Sequence, residues 1–249
     1  YGAAIALKTF GLGMETAISA GVLLGFAGAL VFGWFCVRLS GVYFAMLTLA
    51  FAQIAWSIAY QWTDVTGGDN GIIGVWPSAW AASPARFYWL TLGLSAGAIG
   101  LLRVITFSPF GYALRALRDS TLRAETIGIV RWRVQWMGFV IAGTFAALAG
   151  ALYAFLKGSV FPDNISISLS IDGLVMVLLG GVGTVSGGVV GAAIYRSLSI
   201  WVISHTDYSK LVLGALIILL VVLFPKGLVG QFQAWRSARA PSRLLGESS

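Results

Sequence analysis

The chain has 249 residues, of which 58% are hydrophobic and only 10% charged, and it carries a formal charge of +7 with a mean hydropathy of +0.88. A soluble domain carries about a quarter charged residues, so the excess apolar surface must face lipid and the chain reads as an integral membrane protein. The single cysteine, Cys36, and the single histidine, His205, exclude an intrachain disulfide, a cysteine metal cluster and a multi-histidine metal site.

Tyr1 is neither an initiator Met nor the start of a signal pattern, so upstream segments of a longer protein are expected. About 20 apolar residues span the hydrocarbon core as a helix. The first such stretch, residues 14–37, has Glu15 at its entrance and small residues every four positions: Ala17, Gly21, Gly25, Ala29 and Gly33. That ridge permits close helix approach. A link over 38–41 leads to a second span, 42–62, with two polar candidates for a solute pathway, Thr48 and Gln53. Such residues bond to neighbouring helices more often than to a substrate.

The loop 63–86 holds Asp64, Asp69, Trp76 and Trp80, and the motif TGGDNG at 66–71. With Trp62, Tyr88 and Trp89, its tryptophans suit an interfacial aromatic belt. Thr66, Gly67, Gly68 and Asp69 suit an outer gate or an anion-binding nest of converging N–H groups. Ordinary turn chemistry accounts for the motif at least as well. A third span follows over 87–105, marked by Gly93 and Gly97.

The connection 108–133, SPFGYALRALRDSTLRAETIGIVRWR, concentrates over a quarter of the chain's charges: Arg115, Arg118, Arg123, Arg131 and Arg133 against Asp119 and Glu125. Its middle, 112–128, predicts one charged helix capped by Gly128, with Leu114, Leu117, Leu122 and Ile127 on one face. Such a helix docks a soluble partner or lies on lipid headgroups. The interrupting acids favour docking, and a solvated basic surface is the plain alternative.

A fourth span, 134–156, repeats the small-residue device at Ala142, Ala146 and Gly150, with Gly143, Ala147 and Ala151 beside them. Residues 172–203 are too long for one span and short for two. They contain LLGGVGTVSGGVVG, and predict a half-helix from Asp172 to about 179, a break at Gly180, Gly181, Gly183 and Thr184, and a full helix over 185–203. Broken backbone at membrane depth persists only where protein buries it or it lines a cavity. Arg196 lies within that full helix, free to snorkel or pair. A last span, 211–224, precedes a basic tail beginning at Lys226. The basic segments 108–133 and 226–249 are expected to be cytoplasmic, with loops 63–86 and 157–171 outside. The domain reading is one membrane domain over 1–230 and a basic cytoplasmic tail over 231–249.

No hydrolase, kinase or redox motif is present, nor a Walker sequence, so the chain is not expected to be an enzyme. No acidic residue at mid-depth marks an ion-driven carrier. A passive channel or facilitator lined by the glycine break, and a non-transporting scaffold, remain as alternatives.

YALRALRDSTLRAETIGI, followed by AGALYA at 149–154, resembles the membrane permeases of branched-chain amino-acid ABC importers, the LivH/LivM family, and most closely its LivM branch. GVYFAMLTLAFAQ at 41–53, TGGDNG, DGLVMVLLGGVGTVSGGVVGA at 172–192 and LFPKGLVG at 223–230 carry the same resemblance in matching order. Family members usually have earlier spans with a Ser-Leu-Gly-His-type motif, which this chain lacks. The resemblance implies an all-α polytopic transmembrane bundle, with a glycine-broken or re-entrant helix pair and a cytoplasmic coupling helix. It implies a permease subunit of an ATP-driven importer in the bacterial inner membrane, moving branched-chain or related amino acids. Urea, short amides and aromatic or other carboxylates are alternative cargoes within the family. The implied partners are a homologous permease, two cytoplasmic ATPases that hold ATP and Mg, and a periplasmic solute-binding protein. No cofactor or metal is expected in this chain. Under that resemblance Arg115, Arg118, Asp119, Glu125 and Gly128 are the ATPase-coupling candidates. Thr48, Gln53, Thr66, Gly67, Gly68, Asp69, Gly180, Gly181, Gly183 and Thr184 are the pathway and gate candidates.

Overall fold

A computed structural model describes residues 1–205, 211–212 and 214–215. Its helices are α1 (Gly2–Phe10), α2 (Met14–Cys36), α3 (Val42–Gln61), α4 (Thr63–Thr66), α5 (Pro84–Thr106), α6 (Pro109–Asp119), α7 (Thr121–Thr126), α8 (Arg131–Lys157), α9 (Ile167–Gly180) and α10 (Val185–His205). Two short strands, β1 (Ile72–Ile73) and β2 (Ser159–Val160), join the set. Among the described residues, 5 helices are long and apolar enough to cross a membrane: α2, α3, α5, α8 and, over Val185–Ser204, α10. The all-α polytopic fold expected from hydropathy is the one observed. Of the expected last span only residues 211–212 and 214–215 are described, as helical; its remainder and the basic tail lie outside the described residues.

The helices outrun their apolar cores. Helix α5 starts at Pro84, whose ring presets the first helical φ, and α8 starts at Arg131. Helix α9 begins at Ile167 rather than at Asp172. Helix α1 has no counterpart among the expected spans, because 9 residues are too few to cross.

The chain forms two compact units, Tyr1–Ile167 and Ser168–Ser249. The core of the first lies where α1, α2 and α8 meet. Ala3, Ala4 and Ala6 pack with Met14, Ala17 and Ile18, and with Ala151, Leu152 and Phe155. The small-residue ridge of α2 brings these helices close. A Cβ on Gly21 would sit 2.9 Å from Ala3 Cβ, and one on Gly25 would collide with Ala147 Cβ. Gly143 of α8 faces Ala29 in the same way, with a Cβ placed 2.6 Å from the alanine's. The row of α8 that meets α2 is therefore Gly143–Ala147–Ala151. Gly150, in the neighbouring row, has open space beside it. Trp136 then donates from Nε1 to the Leu30 carbonyl at 3.0 Å, tying α8 to α2 further along. A Cβ on Gly93 or Gly97 of α5 would meet no atom of another described element within 4 Å.

The loops sort to opposite ends. Strands β1 and β2 pair antiparallel, Ile72 with Val160 and Ile73 with Ser159, so the two loops expected outside share one end. At the other end, Arg38 and Ser40 line a common cavity with Glu125 and Arg131. The two arginine-bearing connections thus lie together, as the charge rule requires.

In the second unit α9 and α10 form a tight helical hairpin. Gly180, Gly187 and Gly191 are buried. A Cβ on Gly180 would overlap the Gly187 carbonyl, and one on Gly191 would overlap that of Met176. At 14 residues α9 is about 21 Å long, short of the roughly 30 Å hydrocarbon core.

Candidate functional site

The basic connection is two helices rather than the one expected over 112–128. Ser120 breaks it with extended backbone, φ −161° and ψ 108°. Its hydroxyl accepts from the Arg123 amide at 3.4 Å, capping α7. The run Asp119-Ser120-Thr121 consists of short polar residues that favour caps over helix interiors, and that local preference overrode the helical composition on either side. Gly128 ends α7 at φ +87°, with its amide on the Glu125 carbonyl and the Ile129 amide on that of Ala124. This is a Schellman closure, which puts a residue in the left-handed region where glycine is free of the Cβ penalty.

The apolar residues of this connection divide. Leu117 and Ala124 are buried, whereas Leu122 and Ile127 are each 74% exposed. Leu114 packs over Gly138 of α8, where a Cβ would meet its side chain at 3.3 Å. At the start of α6, Pro109 follows the capping Ser108, and Gly111 lies so near the Thr106 carbonyl that a Cβ would overlap it. Helix α6 is therefore wedged against both α5 and α8.

Arg115 points inward. Its Nη2 donates to the Thr106 carbonyl at 3.1 Å, and its guanidinium lies 5.2 Å from the Phe107 ring centroid and 5.3 Å from that of Tyr112. Arg118 and Asp119 face solvent and form an ion pair at 3.3 Å, with side chains 65% and 66% exposed. Such a pair is worth at most about 1 kcal/mol, so either partner can be recruited elsewhere at little cost. Arg123 and Glu125 are also exposed. The exposed side chains of the connection thus include the apolar Leu122 and Ile127 together with charges of both signs.

The TGGDNG turn is densely hydrogen-bonded. Thr66 is buried, and its hydroxyl donates to the carbonyls of Ala59, at 2.6 Å, and Trp62, at 2.7 Å. The Gly68 amide donates back to that hydroxyl at 3.3 Å. Gly67 lies beside the Gly71 carbonyl, and Gly71, at φ +63°, lies beside that of Val160, with no room for a Cβ at either place. Asp69 and Asn70 are exposed at the tip. Nearby, the Met14 amide donates to Ser78 Oγ at 3.2 Å, and Trp80 Nε1 donates to Glu15. The loop is thereby fastened to both α2 and β2.

Thr48 bonds back to the Ala45 carbonyl at 2.8 Å, the local use that threonines in helices commonly make. Gln53 is exposed on α3.

In the glycine break, Gly181 has φ +111°, and Thr184 Oγ1 accepts from the Gly187 amide at 3.1 Å. Gly183 has open space around it. Sequence reasoning missed the polar tie across this hairpin. Tyr195, buried, donates its hydroxyl to Asp172 Oδ1 at 2.8 Å. The available signal was a carboxylate and a phenol in two largely apolar helices, but their separation along the chain hid the pairing. Among the described residues no group of acids, His and Cys suited to a metal ion occurs.

The model of the family described as branched-chain amino acid transport system, permease component, matches residues 1–221. The chain is 26% identical over 247 residues to the high-affinity branched-chain amino acid transport system permease proteins LivM of Salmonella typhimurium and Escherichia coli, covering 88% of this chain and 58% of each relative. It is 31% identical over 146 residues to LivH of Salmonella typhimurium, covering 57% of this chain and 46% of that protein. The chain thus spans only about half the length of these relatives, 58% of LivM and 46% of LivH. No solved structure matches it.

Proposed function

The chain belongs to the branched-chain amino acid transport system permease family, and from that premise we propose that it is the membrane-spanning subunit of an ATP-driven importer. Its cargo is a small polar solute, branched-chain or related amino acids first, with urea, amides and carboxylates as alternatives. ATP and Mg are held and ATP is hydrolysed on two cytoplasmic partner subunits. A homologous permease and a periplasmic solute-binding protein complete the assembly, in the bacterial inner membrane.

The observation that supports this reading best is the construction of α6 and α7. Their outward face offers exposed Leu122 and Ile127 within a rim of Arg118, Asp119, Arg123 and Glu125. Their inward face is keyed into two spans, through Arg115 on Thr106 and Leu114 over Gly138. A partner that moved this pair would pull α5 and α8 with it. A passive pore has no use for such a lever. Transport by rocking requires the partner to favour one state by its own differential contacts.

Solute pathway residues are proposed at the α9–α10 turn, Gly180, Gly181, Gly183 and Thr184, with Thr48 and Gln53 on α3. The rigid Thr66–Gly67–Gly68–Asp69 turn would carry an outer rim contacted by the binding protein.

Uptake into proteoliposomes holding the complete complex tests the reading, with ATP on the ATPase side and binding protein outside. Leucine, urea and an aromatic acid would be offered in parallel. Uptake of one of them only with ATP is expected. Uptake down a gradient without ATP would replace the importer by a facilitator.

A further inference from the structure

The ends of α2 and α8 beside α7 border an open cavity, to which the docking rim contributes Glu125. A cavity of about 670 Å³ is lined by Trp34, Arg38, Ser40, Glu125, Arg131 and Trp132, among others. It shares Val37, Ser40 and Arg131 with a second cavity of about 420 Å³, walled largely by apolar side chains including Phe44, Leu114 and Phe139. One compartment is cationic and aromatic, and the adjoining one is apolar.

Arg38 stacks on Trp34 with its guanidinium carbon 4.7 Å from the ring centroid, and the rings of Trp34 and Trp132 meet edge to face at 5.4 Å. Arg131 donates from Nε to Gln135 at 3.3 Å. Neither Arg38 nor Arg131 forms an ion pair among the described residues, so Glu125 offsets only part of the positive charge. Trp and Arg at the cytoplasmic ends of spans are the side chains that meet anionic headgroups.

We propose that this double cavity binds one anionic phospholipid of the inner leaflet, its phosphate against Arg38 and Arg131 and an acyl chain along Phe44 and Phe139. A soluble phosphate would leave the apolar compartment unused, and so would an acidic protein segment docked at the rim. The site does not depend on the transport reading.

The test takes the complete complex, exchanges it into vesicles of phosphatidylcholine containing a minor fraction of phosphatidylglycerol, re-purifies it and measures retained lipid by mass spectrometry. The native complex should retain phosphatidylglycerol preferentially, and excess inorganic phosphate should not displace it. Arg38→Gln and Arg131→Gln should each cut retention roughly fivefold, the equivalent of about 1 kcal/mol for a basic residue at an anionic membrane surface. Ser40→Trp should also cut retention, because it closes the shared wall while keeping both arginines. Equal retention by native and variant complexes would overturn the proposal. Displacement by inorganic phosphate would overturn it in favour of a soluble anion. Loss of the ATPase subunits from the arginine variants with lipid unchanged would overturn it in favour of a protein contact.

Discussion

Gly180 and Gly183 are three positions apart in one motif, yet they meet different surroundings. A side chain at Gly180 would strike the Gly187 backbone, whereas Gly183 opens on free space. Gly180→Ala is therefore expected to separate α9 from α10 and to cost about 1–3 kcal/mol, as overpacking does, while Gly183→Ala should stay within about 0.5 kcal/mol. Thermal unfolding of the two variants in detergent, measured side by side, checks the contrast; equal midpoints would contradict it. Tyr195 offers a second residue-scale prediction. Tyr195→Phe strands the Asp172 carboxylate and should destabilise by about 1–3 kcal/mol, whereas Asp172→Asn keeps an acceptor for the hydroxyl and should cost less. The same unfolding assay ranks them. Both glycines and both polar residues were visible in the sequence, but their distinct roles rest on contacts between two helices.

At the scale of elements, the basic connection shows where local pattern succeeds and where it stops. Helical composition around 112–128 and the Gly128 cap were legible, because capping and propensity act within a few residues. The break at Ser120 was overlooked although its signal was local: a short hydroxyl residue between Asp119 and Thr121 can serve as an N-cap. The assumption of one apolar face failed for a different reason. Splitting the helix rotates Leu122 and Ile127 away from Leu114 and Leu117, so two leucine-bearing turns look inward and the later pair looks out. Arg118, on the outward side and in a weak exposed pair, is the residue to reverse. If the proposed importer reading holds, Arg118→Glu should weaken ATPase association and lower ATP-driven uptake several-fold, with the chain still inserted in the membrane. Co-purification of the ATPases alongside uptake measures this; normal association would remove Arg118 from the docking face. Arg115 belongs to the other side of the element, holding α6 to the end of α5.

For the whole molecule, sidedness is the statement most open to test. The pairing of β1 with β2 puts the tip of the TGGDNG turn at the end opposite α7. Because Cys36, the one cysteine in this sequence, is buried, single substitutions Asp69→Cys and Leu122→Cys can be read against the unsubstituted protein. In intact cells a membrane-impermeant maleimide should label the cysteine at 69 and spare the one at 122. In inside-out vesicles the pattern should reverse. Labelling of both positions from one side would overturn the topology. The described helices α3 and α5 also present many large apolar side chains, Tyr43, Met46, Ile54, Trp89 and Val104 among them, as lipid or neighbouring subunits require.

The sequence by itself determined that the chain spans a membrane, where its long helices run and which loops share a side. Those properties follow from hydropathy and charge summed over some 20 residues, and no distant contact can change the sum. Tertiary structure alone decided which small-residue row of α8 meets α2, that Asp172 is held by Tyr195, and that Arg115 turns inward while Arg118 turns out. A helix can rotate about its axis without altering its hydropathy. Its rotation is chosen by close contacts with residues far away in the chain.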